Sequence, residues 1–282
     1  MSTPQPPMPQ QAAAAPDWQA APGTSYTSPI PVTRTHLGHA LHSEWTKIKS
    51  VRSTMWTLGI FLLLVIGIGF LVAVQTTNED FQDVPFTVPA FIGLLLGQLC
   101  LLTLGVLVVS SEYGTGMIRT TFTASPQRHR VLAAKLIIFF AVAFTVSASA
   151  IGLVGLFTSS LHSSGDSDVP WAGTVFMGAL YVSLLGMLAL AVGSMLRHSA
   201  GAITTMLGVV LLPSIMPAFL MMSDTLRTIG EKMQEYAAIS SLARVFRLDS
   251  ESGNGGAQLG LLAGVTAAAV IAAFVLLERR DV

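Results

Sequence analysis

Four basic residues, Arg119, Arg128, Arg130 and Lys135, are set against a single acid, Glu112, in the stretch EYGTGMIRTTFTASPQRHRVLAAK. By the positive-inside tendency such a stretch belongs on the cytoplasmic side of a membrane, where it suits pressing on a partner or is simply a basic loop. The rest of the chain offers no catalytic motif. It has no GxxxxGK[ST] loop, so it lacks that means of hydrolysing ATP, and it has no HExxH, CxxC or GxSxG pattern. The one cysteine, Cys100, lies in an apolar run and reads as a small core residue. His36, His39 and His42 recur every third residue, but such steps drift by about 60° each on a helix, so the three do not share one tight face. We therefore expect no catalytic residue, no metal site and no cofactor bound by this chain.

The elements that must position the basic stretch are apolar. With 52% hydrophobic and 11% charged residues over 282 positions, the composition excludes an ordinary soluble domain and points to an all-α polytopic membrane protein. The formal net charge of zero hides an uneven distribution and gives no reason to expect a nucleic-acid partner. Residues 1–33, rich in Pro, Gln, Ala and Ser, bury too little apolar surface to offset the entropy of ordering and read as a disordered cytoplasmic tail. No positive region followed by an apolar core opens the chain, so a cleaved signal is not expected.

Residues 34–282 form the expected membrane domain. Leu37, Leu41, Trp45, Ile48, Val51 and Met55 recur at steps of three or four, which puts them on one helical face, while Lys47, Lys49 and Arg52 occupy others. Two readings fit. One is an interfacial elbow helix carrying Trp45, Lys47, Lys49 and Arg52, each cation worth about 1 kcal/mol near anionic membrane lipid; the other is a short solvated helix before a span. Six apolar runs follow, near the ~20 residues that cross a hydrocarbon core. We place them at about 55–75, 89–110, 136–157, 171–196, 200–221 and 259–277. The fourth and fifth are parted only by Arg197, His198 and Ser199, and the spans so drawn hold no Asp, Glu, Lys or Arg.

With both termini cytoplasmic, Arg34, Lys47, Lys49, Arg52, Arg119, Arg128, Arg130, Lys135, Arg197, Arg279 and Arg280 fall inside. Only Arg227, Lys232, Arg244 and Arg247, of 15 Lys and Arg, fall outside, all in one long loop, and the short outer loops carry acids alone. That asymmetry sets the expected orientation in a cell membrane.

Gly93, Gly97 and Gly105 lie along one stretch of the second span, and Gly178, Gly186 and Gly193 fall within about 80° of one another on the fourth. These faces allow close helix contact, either in a dimer or moving pair or as packing inside one bundle. Pro213 and Pro217 predict a kink in the fifth span, a gate or a simple bend. Gln98, Thr103, Ser147, Ser149, Thr158, Ser183, Thr204, Thr205 and Ser214 either line a pathway or bond to neighbouring helices. In the loop 223–258, Leu226, Ile229, Met233, Tyr236, Ile239, Leu242 and Val245 keep helical spacing, which predicts one or two amphipathic helices resting at the outer surface, ended by the Gly-rich turn 252–256.

In the basic stretch, Gly114-Thr115-Gly116 makes a turn before MIRTTFT, about two helical turns with Met117, Ile118, Thr121 and Phe122 on one side. Ser125-Pro126 then reads as a helix start, a serine cap followed by proline at the first position. A short helix joining two membrane helices results, suited to pressing on a partner; a plain basic loop is the alternative.

At these residues the chain resembles the ABC-2 type transporter permeases. Glu112, Gly114, Thr115, Gly116, Ile118 and Arg119, then Pro126, Arg128, Arg130 and Lys135, are similar to that family's pattern. SEWTKIKSVRSTMW resembles its start, and ERRDV its ending. The resemblance implies a six-helix permease subunit with an N-terminal interfacial helix and a cytoplasmic coupling helix around residues 115–122, most often of an exporter. It implies pairing with a second permease subunit, as homo- or heterodimer, and with a separate ABC ATPase that binds the ATP and Mg. Glu112, Gly114, Thr115, Gly116, Ile118, Arg119, Pro126, Arg128 and Arg130 would then serve ATPase coupling. The polar opening at 223–235 departs from the family and argues against a deeply re-entrant outer segment. Two other classes stay open on the residues alone, a membrane scaffold or sensor subunit and an ion-gradient-driven secondary carrier. The uncharged spans disfavour the carrier.

Overall fold

Hydropathy and length dictate the main elements. The computed structural model describes residues 36–76, 86–124, 127–161, 171–248 and 255–279, and these residues are all-helical. In order the helices are α1 (Leu37–Ser50), α2 (Arg52–Gln75), α3 (Val88–Gly114), α4 (Met117–Ala124), α5 (Arg128–Leu161), α6 (Trp171–Leu196), α7 (Ser199–Leu220), α8 (Arg227–Tyr236), α9 (Ala238–Val245) and α10 (Gly256–Arg279). Six of them, α2, α3, α5, α6, α7 and α10, are long and apolar enough to cross a membrane. The chain therefore has the build of a multi-pass membrane protein.

α3 and α6 form the centre of the bundle, more than half buried, with α2 and α5 against them and α10 against α6. Glycine brings the two central helices together. A Cβ on Gly105 would strike the Gly186 carbonyl of α6, and one on Gly193 would stand 3.1 Å from the Val106 backbone of α3. Gly93 and Gly97 serve the other side of α3, where added Cβ atoms would come within 2.6 Å of the Val65 carbonyl and 2.7 Å of the Val65 side chain on α2. Both glycine faces are thus spent on packing inside one bundle. The core so formed includes Phe61, Val65, Leu94, Leu101, Phe139, Ile151 and Leu190. On α7, by contrast, Leu212, Ile215 and Phe219 are exposed, as is Met222 just beyond its end. In water such a surface would be costly; against lipid it is the expected finish.

Most polar groups in the long helices bond within their own helix. Thr103, Ser149, Thr158, Ser183, Thr204, Thr205 and Ser214 each donate to a carbonyl three or four residues back. Gln98 Oε1 and Ser147 Oγ are buried without a partner. α7 continues as one helix through Pro213 and Pro217. Between α6 and α7, Arg197 takes φ 54°, and the His198 ring accepts from the Gly201 N–H at 3.1 Å to cap α7.

The loop after α7 holds the two expected short helices, but they do not both rest on a surface. α8 is charged and exposed, with Gly230 against Leu220 and Met221. α9 turns Leu242, Val245 and Phe246 into the main core, where Phe246 is fully buried, meets Phe91 at 5.8 Å and lies over Gly178. The Tyr181 hydroxyl donates to the Ala238 carbonyl at 3.1 Å. The loop therefore plugs one end of the bundle, because its last apolar residues find more buried area between helices than on a surface. Lys232 and Arg244 both donate to Glu235, at 2.8 and 3.3 Å, tying α8 to α9. The hydrogen bond from Lys232 first, and the nearby cations after it, hold the Glu235 carboxyl below its usual range.

Candidate functional site

At the end of the bundle away from α9, α3 outruns its expected length. It continues to Gly114, and Thr115 caps it through an N–H to the Ser111 carbonyl at 3.0 Å. Gly116 then takes φ 72°, the left-handed conformation that only glycine adopts freely, and turns the chain into α4. Eight residues give α4 a length of about 12 Å. Ile118 faces the bundle at 5% exposure and Phe122 is partly packed against the core, while Met117, expected on that same side, is exposed. Gly114, Thr115, Gly116 and Arg119 are exposed as well, and the Arg119 side chain has no ion pair or hydrogen bond among the described residues. Arg128 sits over the Phe122 ring at 5.4 Å and Arg130 is half-buried on the first turn of α5. Pro126 and the expected Ser125-Pro126 cap lie outside the described residues, as do the 1–33 tail, the acids of the two short loops and the final three residues.

Behind this exposed face lies a buried cluster of four charges. A break is expected at Ser110-Ser111-Glu112, but Glu112 sits on the continuous extension of α3, while Lys135 lies, as expected, on the helix that runs into the third span, α5. Lys135 Nζ lies 2.6 Å from Glu112 Oε1 and 2.7 Å from Glu44 Oε2, and Lys47 Nζ lies 2.9 Å from Glu112 Oε1 and 2.8 Å from Glu44 Oε1. Two carboxylates and two ammoniums therefore close a ring joining α1, α3 and α5. The Lys135 side chain is 3% exposed, so the ring works where water screens little. Burial pulls the Lys47 ammonium down, but its bonds to Glu44 and Glu112 lift it by more, leaving it above its ordinary value.

This ring changes the reading of α1. The face turned to the bundle carries Glu44, Lys47 and Ile48, whereas Trp45, Val51 and Met55 are exposed. Once Lys135 and Glu112 are buried, each must find a partner, since a lone buried charge would cost several kcal/mol, and α1 supplies Glu44 and Lys47. Lys47 is consequently not a surface cation. Lys49 is exposed, with its ammonium 4.6 Å above the Trp45 ring, and Arg52 is exposed at the start of α2, after a break at Val51.

Glu44 is the member of the ring that the sequence reading passed over. Its one signal is an acid three residues before a lysine in an otherwise basic helix, and that spacing equally describes a solvated surface pair. Arg197, from the turn between α6 and α7, reaches 5.1 Å from the Tyr113 ring and adds a fourth connection at this end. The rings of His36 and His39 stack at 4.6 Å, and among the described residues no three His, Cys, Asp or Glu are grouped to hold a metal.

The arrangement offers a short exposed helix, hinged at Gly116, on a base where three helices are locked together by charge. Against known proteins, no family model and no curated protein matches the chain.

Proposed function

We propose that the chain is the membrane permease subunit of an ABC-2 type transporter, an exporter driven by a separate ATPase chain that binds the ATP and Mg. In this reading α4 is the coupling helix and α1 the elbow. The end bearing α4 faces the cytoplasm, both termini lie there, and a second permease subunit completes the pathway in the cell membrane. The observation that carries the reading is the pairing of the exposed α4 face, with Arg119 unengaged among the described residues, and the buried Glu44–Lys47–Glu112–Lys135 ring behind it. A push on α4 reaches α3 directly through Gly116 and spreads through the ring to α1 and α5. Because cores are close-packed, such a base moves as a unit rather than deforming.

The experiment is affinity purification of the full chain from its own membrane, followed by ATPase assay of the eluate. A soluble ATPase should co-purify, and Arg119→Glu should remove it or uncouple its activity while the permease still inserts. Recovery of no ATPase, or one indifferent to Arg119→Glu, overturns the reading. A second reading, an ion-gradient-driven carrier, is disfavoured because Glu112, the buried acid on α3, is paired with the Lys47 and Lys135 ammoniums at 2.9 and 2.6 Å and so is held charged rather than free to take up a proton. Substrate movement in vesicles lacking any ATPase would favour it.

A further inference from the structure

We propose that the cleft between α1 and the bundle binds an anionic phospholipid, with its phosphate at the α1–α2 break and an acyl chain laid along α3. The cleft has a volume of about 400 Å³ and opens beside the charged ring. Ile48, Val51, Leu104, Leu107, Val108 and Met117 make its walls. That volume is in the range of small-ligand sites, and the walls suit a hydrocarbon chain.

The polar end of the cleft holds the paired charges of Glu44, Glu112, Lys47 and Lys135 together with donors that nothing else engages among the described residues. Lys47 lines it, with its side chain 25% exposed, and an ammonium has three donors of which the ring uses two. Val51 caps α2 without a side-chain hydrogen bond, and the first backbone bonds of that helix come from Thr54 and Met55, leaving the Arg52 and Ser53 N–H groups without a partner among the described residues. The start of α2 thereby carries the positive end of a helix dipole into the cleft wall. Thr54 supplies the independent sign of a ligand. It lines the cleft at 6% exposure, its hydroxyl has no partner among the described residues, and it is not among the oxygens sealed from solvent. The hydroxyl is thus open to the cleft and free to donate to a phosphate oxygen there.

The acids of the ring decide the headgroup. Both oxygens of Glu44 and Oε1 of Glu112 are already taken by the lysines, and Glu112 Oε2 is sealed. Glu44 and Glu112 line the cleft, but Lys47 and Lys135 cancel their two charges, so the uncompensated feature at the polar end is the positive start of α2, which attracts a phosphate that no headgroup ammonium balances. This favours phosphatidylglycerol over phosphatidylethanolamine. The inference needs the chain to lie in a membrane but holds whether or not an ATPase drives it.

The test is native mass spectrometry of the full-length chain in detergent, offered phosphatidylglycerol, phosphatidylethanolamine or glycerol phosphate at equal concentration. Phosphatidylglycerol should be retained in preference to the other two. Thr54→Val should lower its retention about fivefold, the equivalent of one hydrogen bond of about 1 kcal/mol, and Leu107→Trp, which fills the cleft, should abolish it. Thermal unfolding of each variant in detergent verifies the fold; if Leu107→Trp fails to fold, Thr54→Val decides. Retention of phosphatidylethanolamine equal to phosphatidylglycerol would mean loosely held annular lipid and overturn the proposal. Retention of glycerol phosphate alone would reassign the site to a soluble phosphate, and unchanged binding in Thr54→Val would also overturn it.

Discussion

Lys135 Nζ and Glu112 Oε1 stand 2.6 Å apart across 23 residues of chain, and the same ammonium reaches Glu44 Oε2, 91 residues away, at 2.7 Å. One buried cation thus holds together the first, third and fifth helices.

Removing that cation alone should be severe. Lys135→Met leaves two carboxylates sharing the single Lys47 ammonium, so one negative charge is uncompensated in a site that excludes water, for a loss of about 3–5 kcal/mol. The double variant Lys135→Met with Glu112→Leu leaves Glu44 with Lys47 and should recover most of the loss, since the two sites are coupled. Thermal unfolding in detergent measures both; a double variant no better than the single would mean the charges do not act as a unit.

Lys47 gives the ring a defined pH response. Its folded pKa is raised, so its contribution is complete below the ordinary lysine value of 10.5 and is lost as pH rises through the higher folded value. Attachment of α1 should therefore be steady from neutral pH to about that point and loosen above it. A spin label on Ser43, an exposed α1 position, would report the change as increased mobility, and Lys47→Gln should remove the alkaline step.

Two glycines distinguish packing from permissiveness. Gly105→Ala puts a methyl into the Gly186 carbonyl, backbone against backbone, and should destabilise by about 1–3 kcal/mol. Gly67→Ala meets nothing within 4 Å and should be neutral or gain up to about 1 kcal/mol. Parallel unfolding curves test the contrast.

Phe246 is the side chain that fixes α9 in the end of the bundle. Phe246→Ala should cost about 3–5 kcal/mol and leave the α8–α9 segment open to proteolysis, whereas Ile229→Ala, on an exposed α8 position, should fall within about 0.5 kcal/mol of the parent. Limited proteolysis alongside thermal unfolding checks both.

The sequence by itself determined what local chemistry governs. Six helices are legible because length and hydropathy act within each segment, and the α6–α7 break at 197–198 and the helical spacing of α8 and α9 follow from residues close in the chain. The basic, turn-bounded character of the stretch around α4 is equally local, set by Gly116 and its neighbours. Tertiary structure decided everything that depends on distant partners. Nothing in the spacing of Glu44, Lys47 and Trp45 says which faces inward, because the answer lies at Glu112 and Lys135, 65 and 91 residues away. The glycine faces were visible, but their partner helices were not, since close approach is a property of two backbones. Likewise the burial of Phe246 could not be read from a loop whose opening is charged, because the space that receives it is made by α3 and α6. The cleft beside the ring belongs to the same class: it exists only where α1, α2, α3 and α5 meet.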